Sequence, residues 1–171
     1  MQFVEEPERE FHIRELAKLF RKSPTTVSGI LNKLKKKGIL VSRKMSNHVL
    51  FRANTASLDY RSLKKRHNLE QVSSSGLIKY LVEKLNDPEA IILFGSYEKG
   101  EDIKRSDIDI FVVTPSKKDV ELEKYGRLLK HDIQLFINSK DDVDKMKTRN
   151  KELLNNLVNG TVIYGFWEAF R

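Results

Sequence analysis

Two aspartates, Asp107 and Asp109, stand one residue apart in the run SDIDIFVV, and ten residues separate Asp107 from a Gly95-Ser96 pair that ends the apolar run AIILF. Side chains at i and i+2 of a strand share a face. Both carboxylates therefore point the same way while Ile108, Ile110 and Val112 enter a core. Two convergent carboxylates suit Mg²⁺, a hard cation that takes oxygen ligands, keeps waters and is completed by substrate phosphates. The Gly-Ser turn supplies the complement. Gly95 lets backbone approach closely, and Ser96, opening a short helix, offers its hydroxyl and backbone N–H groups to a phosphate. No Gly-Lys-Ser/Thr follows, which excludes a Walker loop.

These residues need rigid elements behind them. Asn86, Asp87 and Pro88 end a helix carrying Leu77, Ile78, Tyr80, Leu81, Val82 and Leu85, and the continuous apolar run at residues 90–94 reads as a buried strand. A further strand is expected at residues 131–137, HDIQLFI, with Ile133, Leu135 and Ile137 inward. Asp132 and Gln134 then share the opposite face and both point toward the aspartate pair. Residues 119–129 read as a helix, 140–158 as one or two more, and Gly160 as a C-cap before the strand TVIYG. Val162, Ile163, Tyr164, Phe166 and Trp167 read as core or partner-facing, and His67 and His131 as ordinary polar residues.

The segment LFGSYEKGEDIKRSDIDIFVV resembles the Gly-Ser, spacer, Asp-x-Asp signature of prokaryotic, especially archaeal, minimal nucleotidyltransferases. These are kanamycin nucleotidyltransferase-like members of the DNA polymerase beta superfamily, and the likeness covers about residues 77–165. It implies attack of an acceptor hydroxyl on the α-phosphorus of an NTP, ATP being the expected one, with pyrophosphate leaving. By the same resemblance Gly95, Ser96 and Lys99 hold the nucleotide, and Asp107 and Asp109 bind Mg²⁺. A third carboxylate on the next strand normally helps deprotonate the acceptor. Either Asp132 or Gln134 takes that position here; Gln134, flanked by Ile133 and Leu135, fits the family's apolar flanks better and would leave the site without a base. Proteins of similar appearance act as antitoxins. A toxin-like protein partner, with a weak or inactive transferase domain serving as sensor or platform, is therefore the alternative expectation.

The start of the chain has a different character. Residues 1–70 hold 16 Lys and Arg against 7 Asp and Glu, whereas residues 71–171 hold 16 against 17, so the net charge of +8 belongs to the first part. A polyanion partner is expected there. Ile13, Leu16, Ala17 and Phe20 mark one helix; Ser23 as N-cap and Pro24 at the first helical position open a second, with Val27, Ile30, Leu31 and Leu34 inward and Gly38 ending it. Residues 39–41 and 49–51 read as a hairpin with a basic tip through residues 43–47. FHIRELAKLFRKSPTTVSGILNKLKKKGIL is similar to the winged helix-turn-helix domains of archaeal and bacterial regulators over roughly the first 55 residues. The resemblance implies DNA as partner: Thr25, Thr26, Ser28, Asn32 and Lys33 face a groove, and Lys36 with Arg43 and Lys44 of the wing meet phosphates. Gly29, inside the second helix, costs about 1 kcal/mol relative to Ala and reads no base.

The expected fold class is thus a two-domain α+β/α/β chain, a winged helix-turn-helix followed by a nucleotidyltransferase-fold mixed sheet flanked by helices. Residues 1–56 form the first domain, 57–72 a basic connector helix that is a candidate homodimer contact, and 73–171 the second. With no cysteine the chain has neither disulfides nor thiolate metal sites. No run approaches the roughly 20 apolar residues of a membrane span, and no signal-peptide pattern opens the chain, so the cytoplasm is the expected compartment.

Overall fold

Ser23 accepts a hydrogen bond from the Thr26 backbone N–H at 3.1 Å and starts a helix with Pro24 in its first turn. That helix belongs to the first of two compact units, residues 1–64 and 65–171, in a computed structural model that describes residues 2–168.

The first unit runs α1 (Gln2–Glu5), β1 (Phe11–His12), α2 (Ile13–Phe20), α3 (Pro24–Lys36), β2 (Leu40–Met45), β3 (His48–Ala53) and the opening turns of α4 (Leu58–Ser74). Its sheet is antiparallel in the order β1-β3-β2. Phe11, Leu16, Ala17, Val27, Leu31, Leu40 and Phe51 form the core. At the end of α3 the Gly38 N–H donates to Lys35 O at 2.9 Å and the Ile39 N–H to Leu34 O at 3.0 Å, the paired bonds of a Schellman cap.

Two expectations are corrected in this unit. Ile30, placed inward by its spacing, is 52% exposed, because it borders an open apolar groove with Phe20, Leu34 and Leu63 rather than the sheet. The hairpin is also tighter than its polar composition suggests. Pairing continues to Met45 and His48, so the tip is Ser46-Asn47, with Ser46 at φ 52°, and Arg43 and Lys44 lie within β2.

The second unit takes the rest of α4, then α5 (Leu77–Lys84), β4 (Ala90–Phe94), α6 (Gly95–Lys99), β5 (Ile108–Val113), α7 (Glu123–Leu129), β6 (Ile133–Asn138), α8 (Lys140–Arg149), α9 (Lys151–Val158) and β7 (Thr161–Gly165). The mixed sheet has the order β6-β5-β4-β7, with β5 and β6 parallel and the other pairs antiparallel. Every residue of β4 is buried, as befits a central strand covered on both faces. Ile91, Leu93, Ile108, Ile110 and Val112 pack with Leu77, Leu81, Tyr125 and Leu129 on one side. Ala90, Ile92, Phe94, Phe111 and Val113 pack with Val143 and Leu157 on the other.

Helix α4 ends at Ser74 and α5 starts at Leu77 after the Ser75-Gly76 turn, whereas α7 begins at Glu123, four residues later than its pattern suggests. Gly160 is not a left-handed cap. Asn159 caps α9, and a Cβ at Gly160 would stand 2.7 Å from Leu93 O, so the glycine is required by the close passage of the chain over β4. Trp167 packs against the second core layer, whereas Phe166 is 63% exposed. No helix among the described residues is long and apolar enough to cross a membrane.

Candidate active site and nucleic-acid face

The site is built where β4 stops. Antiparallel pairing sets Phe94 opposite Asp109, so the residue after Phe94 must pass beside that carboxylate. That residue is Gly95, at φ +75°, and a Cβ there would lie 2.0 Å from Asp109 Oδ2. Both the backbone conformation and the contact exclude any side chain at this position. Ile108, fully buried, holds the intervening position in the core and leaves Asp107 and Asp109 together on the open face.

Strand β6 completes the group. Its parallel register places Gln134 beside Asp109, and the Gln134 amide Nε2 donates to Asp107 Oδ2 at 2.7 Å. Asp132 lies one step before the strand: its carbonyl accepts from the Ile108 N–H at 2.8 Å, and the residue is exposed. The residue next to the aspartate pair is therefore an amide, not a carboxylate. Partial burial, and secondly the negative charge of Asp107, push the Asp109 carboxyl above its ordinary range. An amide neighbour adds no further repulsion, but also no proton acceptor.

The short helix α6 is tied down from behind by residues that composition and spacing did not reveal. Lys65 of α4 pairs with buried Glu98, and Thr161 of β7 donates to the same carboxylate at 2.6 Å. Asn68, 3% exposed and one turn beyond Lys65, donates to Tyr97 O at 2.8 Å and to Asp102 Oδ1 at 2.7 Å. No sequence pattern marks them, because α4 is polar over most of its surface and the two residues stand among Arg61, Lys64 and Arg66. Burial, with Asp102 as a second cause, pushes the Tyr97 phenol far above its ordinary range. The Tyr97 ring meets the His131 ring edge-on at 5.2 Å between centroids. Ser96 is half-buried and Lys99 exposed on the same five-residue helix.

Among the described residues no cluster of three or more His, Asp or Glu side chains could hold a metal ion. The donor set nonetheless fits a cation shared with a substrate. Two like-charged carboxylates, one of them partly desolvated, leave negative charge that a hard cation would neutralise, and Mg²⁺ normally completes its shell with water and phosphate oxygens.

In the first unit the outward face of α3 exposes Thr25, Thr26, Asn32, Lys33 and Lys36, while Ser28 is half-buried and bonded by the Asn32 amide at 3.4 Å. Thr26 is engaged with its hydroxyl 2.8 Å from Ser23 Oγ. Gly29 has nothing within 4 Å of its would-be Cβ. On the wing, Lys44 is exposed, whereas Arg43 forms a bidentate pair with Glu10 at 2.7 and 2.6 Å, which holds the Glu10 carboxyl below its ordinary range.

Residues 76–166 match the family described as polymerase beta, nucleotidyltransferase. The chain belongs to that family. Residues 8–90 match the penicillinase repressor family, so this polymerase beta family nucleotidyltransferase domain follows a winged-helix repressor-type domain. No curated protein matches the chain. A solved structure described as a toxin-antitoxin with AMP-PNP is 26% identical over 53% of this chain and 71% of that one, with a TM-score of 0.40.

Proposed function

We propose that the chain is a Mg²⁺-dependent nucleotidyltransferase that moves the nucleoside monophosphate of an NTP, ATP being the expected one, onto an acceptor hydroxyl. Its N-terminal domain would bind DNA. The observation that carries the first part is the seat of Asp109 against the Gly95 turn, with Asp107 beside it on the same face. Gly95, Ser96 and Lys99 would receive the triphosphate, and Asp107 and Asp109 would hold Mg²⁺, which supplies charge neutralisation at the phosphates. In the reaction the acceptor oxygen forms a bond to the α-phosphorus as the bond to the β-phosphate oxygen breaks and pyrophosphate departs. Gln134 cannot take the acceptor's proton, so the proton leaves to solvent.

That same residue favours a second reading, in which the domain binds nucleotide without turning it over and acts as a sensor or protein-docking platform for a regulator. Calorimetry with ATP and Mg²⁺, paired with label transfer from α-³²P-ATP, separates the two. Transfer by the wild type, lost in Asp107→Asn/Asp109→Asn, supports the enzyme. Binding without transfer, with transfer gained in Gln134→Glu, supports the sensor. Absence of Mg²⁺-dependent nucleotide binding would overturn both. For the N-terminal domain, a gel shift across a salt series tests DNA contact, because phosphate contacts demand a steep salt dependence.

A further inference from the structure

Glu98 is a carboxylate with only 2% exposure, two residues beyond Ser96 on α6. A buried ion pair is weak evidence for stability, because well-packed apolar side chains in its place are often as stable or more so. What such a pair can supply is a single orientation, fixed by its partners.

Helix α6 has five residues, far fewer than the roughly 12 to 15 that an isolated helix needs to persist in water. Glycines bound it, Gly95 at φ +75° and Gly100 at φ +68°, so its two ends are the most easily turned points of that backbone. Its orientation must therefore be imposed by its neighbours. Lys65 of α4 and Thr161 of β7 reach the same oxygen, Glu98 Oε1, from two different elements, with the Thr161 hydroxyl donating at 2.6 Å. Asn68 Nδ2 donates to Tyr97 O at 2.8 Å and to Asp102 Oδ1 at 2.7 Å, so one amide joins the helix to the segment that leaves it. Within the last turn the Gly100 N–H donates to Tyr97 O at 3.3 Å and the Glu101 N–H to Ser96 O at 2.9 Å. The carbonyl that Asn68 holds is thus also the one that closes α6.

Asn68 and Glu98 are 3% and 2% exposed, too deep to meet a bound nucleotide, so any effect they have on binding passes through α6. A turn held in place beforehand loses less conformational freedom when its ligand arrives than one that must be ordered by it. We propose that Asn68, Glu98 and Thr161 are positioning residues of the nucleotide seat, holding α6 in the one orientation in which the Gly95-Ser96 turn receives the triphosphate. This rests on the nucleotide-binding reading above.

The test uses the full chain. Thr161→Val keeps the side chain's shape and removes its hydroxyl, Thr161→Ser keeps the hydroxyl, and Asn68→Ala removes both amide bonds. Val143→Ala, a truncation in the second core layer, is the comparison for loss of stability alone. Each variant is followed by urea denaturation, by calorimetry with Mg²⁺-ATP and by amide exchange at Gly100 and Glu101. Thr161→Val and Asn68→Ala are expected to weaken Mg²⁺-ATP binding at least about fivefold, the size of one hydrogen bond, and to speed exchange at both amides. Thr161→Ser should restore wild-type behaviour, and Val143→Ala should lower the urea midpoint while leaving affinity and exchange unchanged. Should Asn68→Ala fail to fold, the near-isosteric Thr161→Val decides. Wild-type affinity in Thr161→Val, an equal loss in Val143→Ala, or a Thr161→Ser that restores nothing would each overturn the proposal. A wild type that binds no Mg²⁺-ATP would sink the nucleotide reading itself, and the proposal with it.

Discussion

The two units carry their candidate functional groups in opposite ways. On α3 and the wing, Thr25, Asn32, Lys33, Lys36 and Lys44 are exposed side chains on a surface whose core lies on the far side, and a helix end favours its cations in any case. In the second unit the backbone itself sets the site: strand pairing aligns Phe94, Asp109 and Gln134, and a glycine is demanded where the carboxylate sits. Charge that attracts a polyanion acts at a distance and tolerates loose placement. Carboxylates that share a cation do not.

Substitutions sharpen this contrast. Gly95→Ala is expected to have the largest effect: roughly 1–2 kcal/mol of stability from the left-handed backbone alone, with further loss as Asp109 is displaced, and no Mg²⁺-ATP binding. Denaturant melts and calorimetry measure the two parts. If the variant bound nucleotide normally, the turn would not be the rigid half of the comparison.

Asp107→Asn/Asp109→Asn should lower Mg²⁺-ATP affinity by about tenfold or more, roughly 1.4 kcal/mol, without loss of stability. Asp109 alone has a pH signature. Its folded-state carboxyl is held above the ordinary range, so the unfolded chain releases that proton first as pH rises, and the ionised group then works against folding. Metal-free Asp109→Asn should therefore melt higher than wild type at neutral pH, and the difference should vanish below about pH 4. A variant that melted lower at neutral pH would contradict that sign.

Gly29→Ala should raise stability by up to about 1 kcal/mol, since the helix gains propensity and the methyl meets open space. A drop in DNA affinity in the same variant would show that the missing side chain lets the helix backbone approach its partner. The smallest effects belong to single cations. Lys33→Gln or Lys36→Gln should reduce the salt slope of DNA binding by about one phosphate contact each. No change in slope for either would move the DNA face away from α3.

How much could be read from the sequence followed the same division. Continuous burial in β4, the Asp-Ile-Asp-Ile alternation at residues 107–110 and the Ser23-Pro24 start are local patterns, and the chain displays them directly. Strand β1 is two residues long and exists only through pairing with β3, so no local pattern announces it. Ile30 followed helical spacing yet faces a groove, because spacing gives a helix face and not what lies opposite. Asp132 and Gln134 share a face, and only the register against β5 decides which stands beside Asp109; parallel register depends on strands distant in sequence. The supports of α6, Lys65, Asn68 and Thr161, come from elements on both sides of it in the chain and were invisible for the same reason.

If the proposed transfer takes place, the amide at Gln134 sets its kinetics. It neither gains nor loses a proton over the accessible pH range, so a rate profile would show no limb belonging to that position. Transfer would instead quicken with hydroxide, following ionisation of the acceptor hydroxyl. A glutamate there would add a third negative charge beside Asp107 and Asp109 and bring a titration of its own, raised by those neighbours. The proposed reaction would thus be timed by its acceptor, and the difference between a slow catalyst and a faster one would rest on a single side-chain amide at the edge of the sheet.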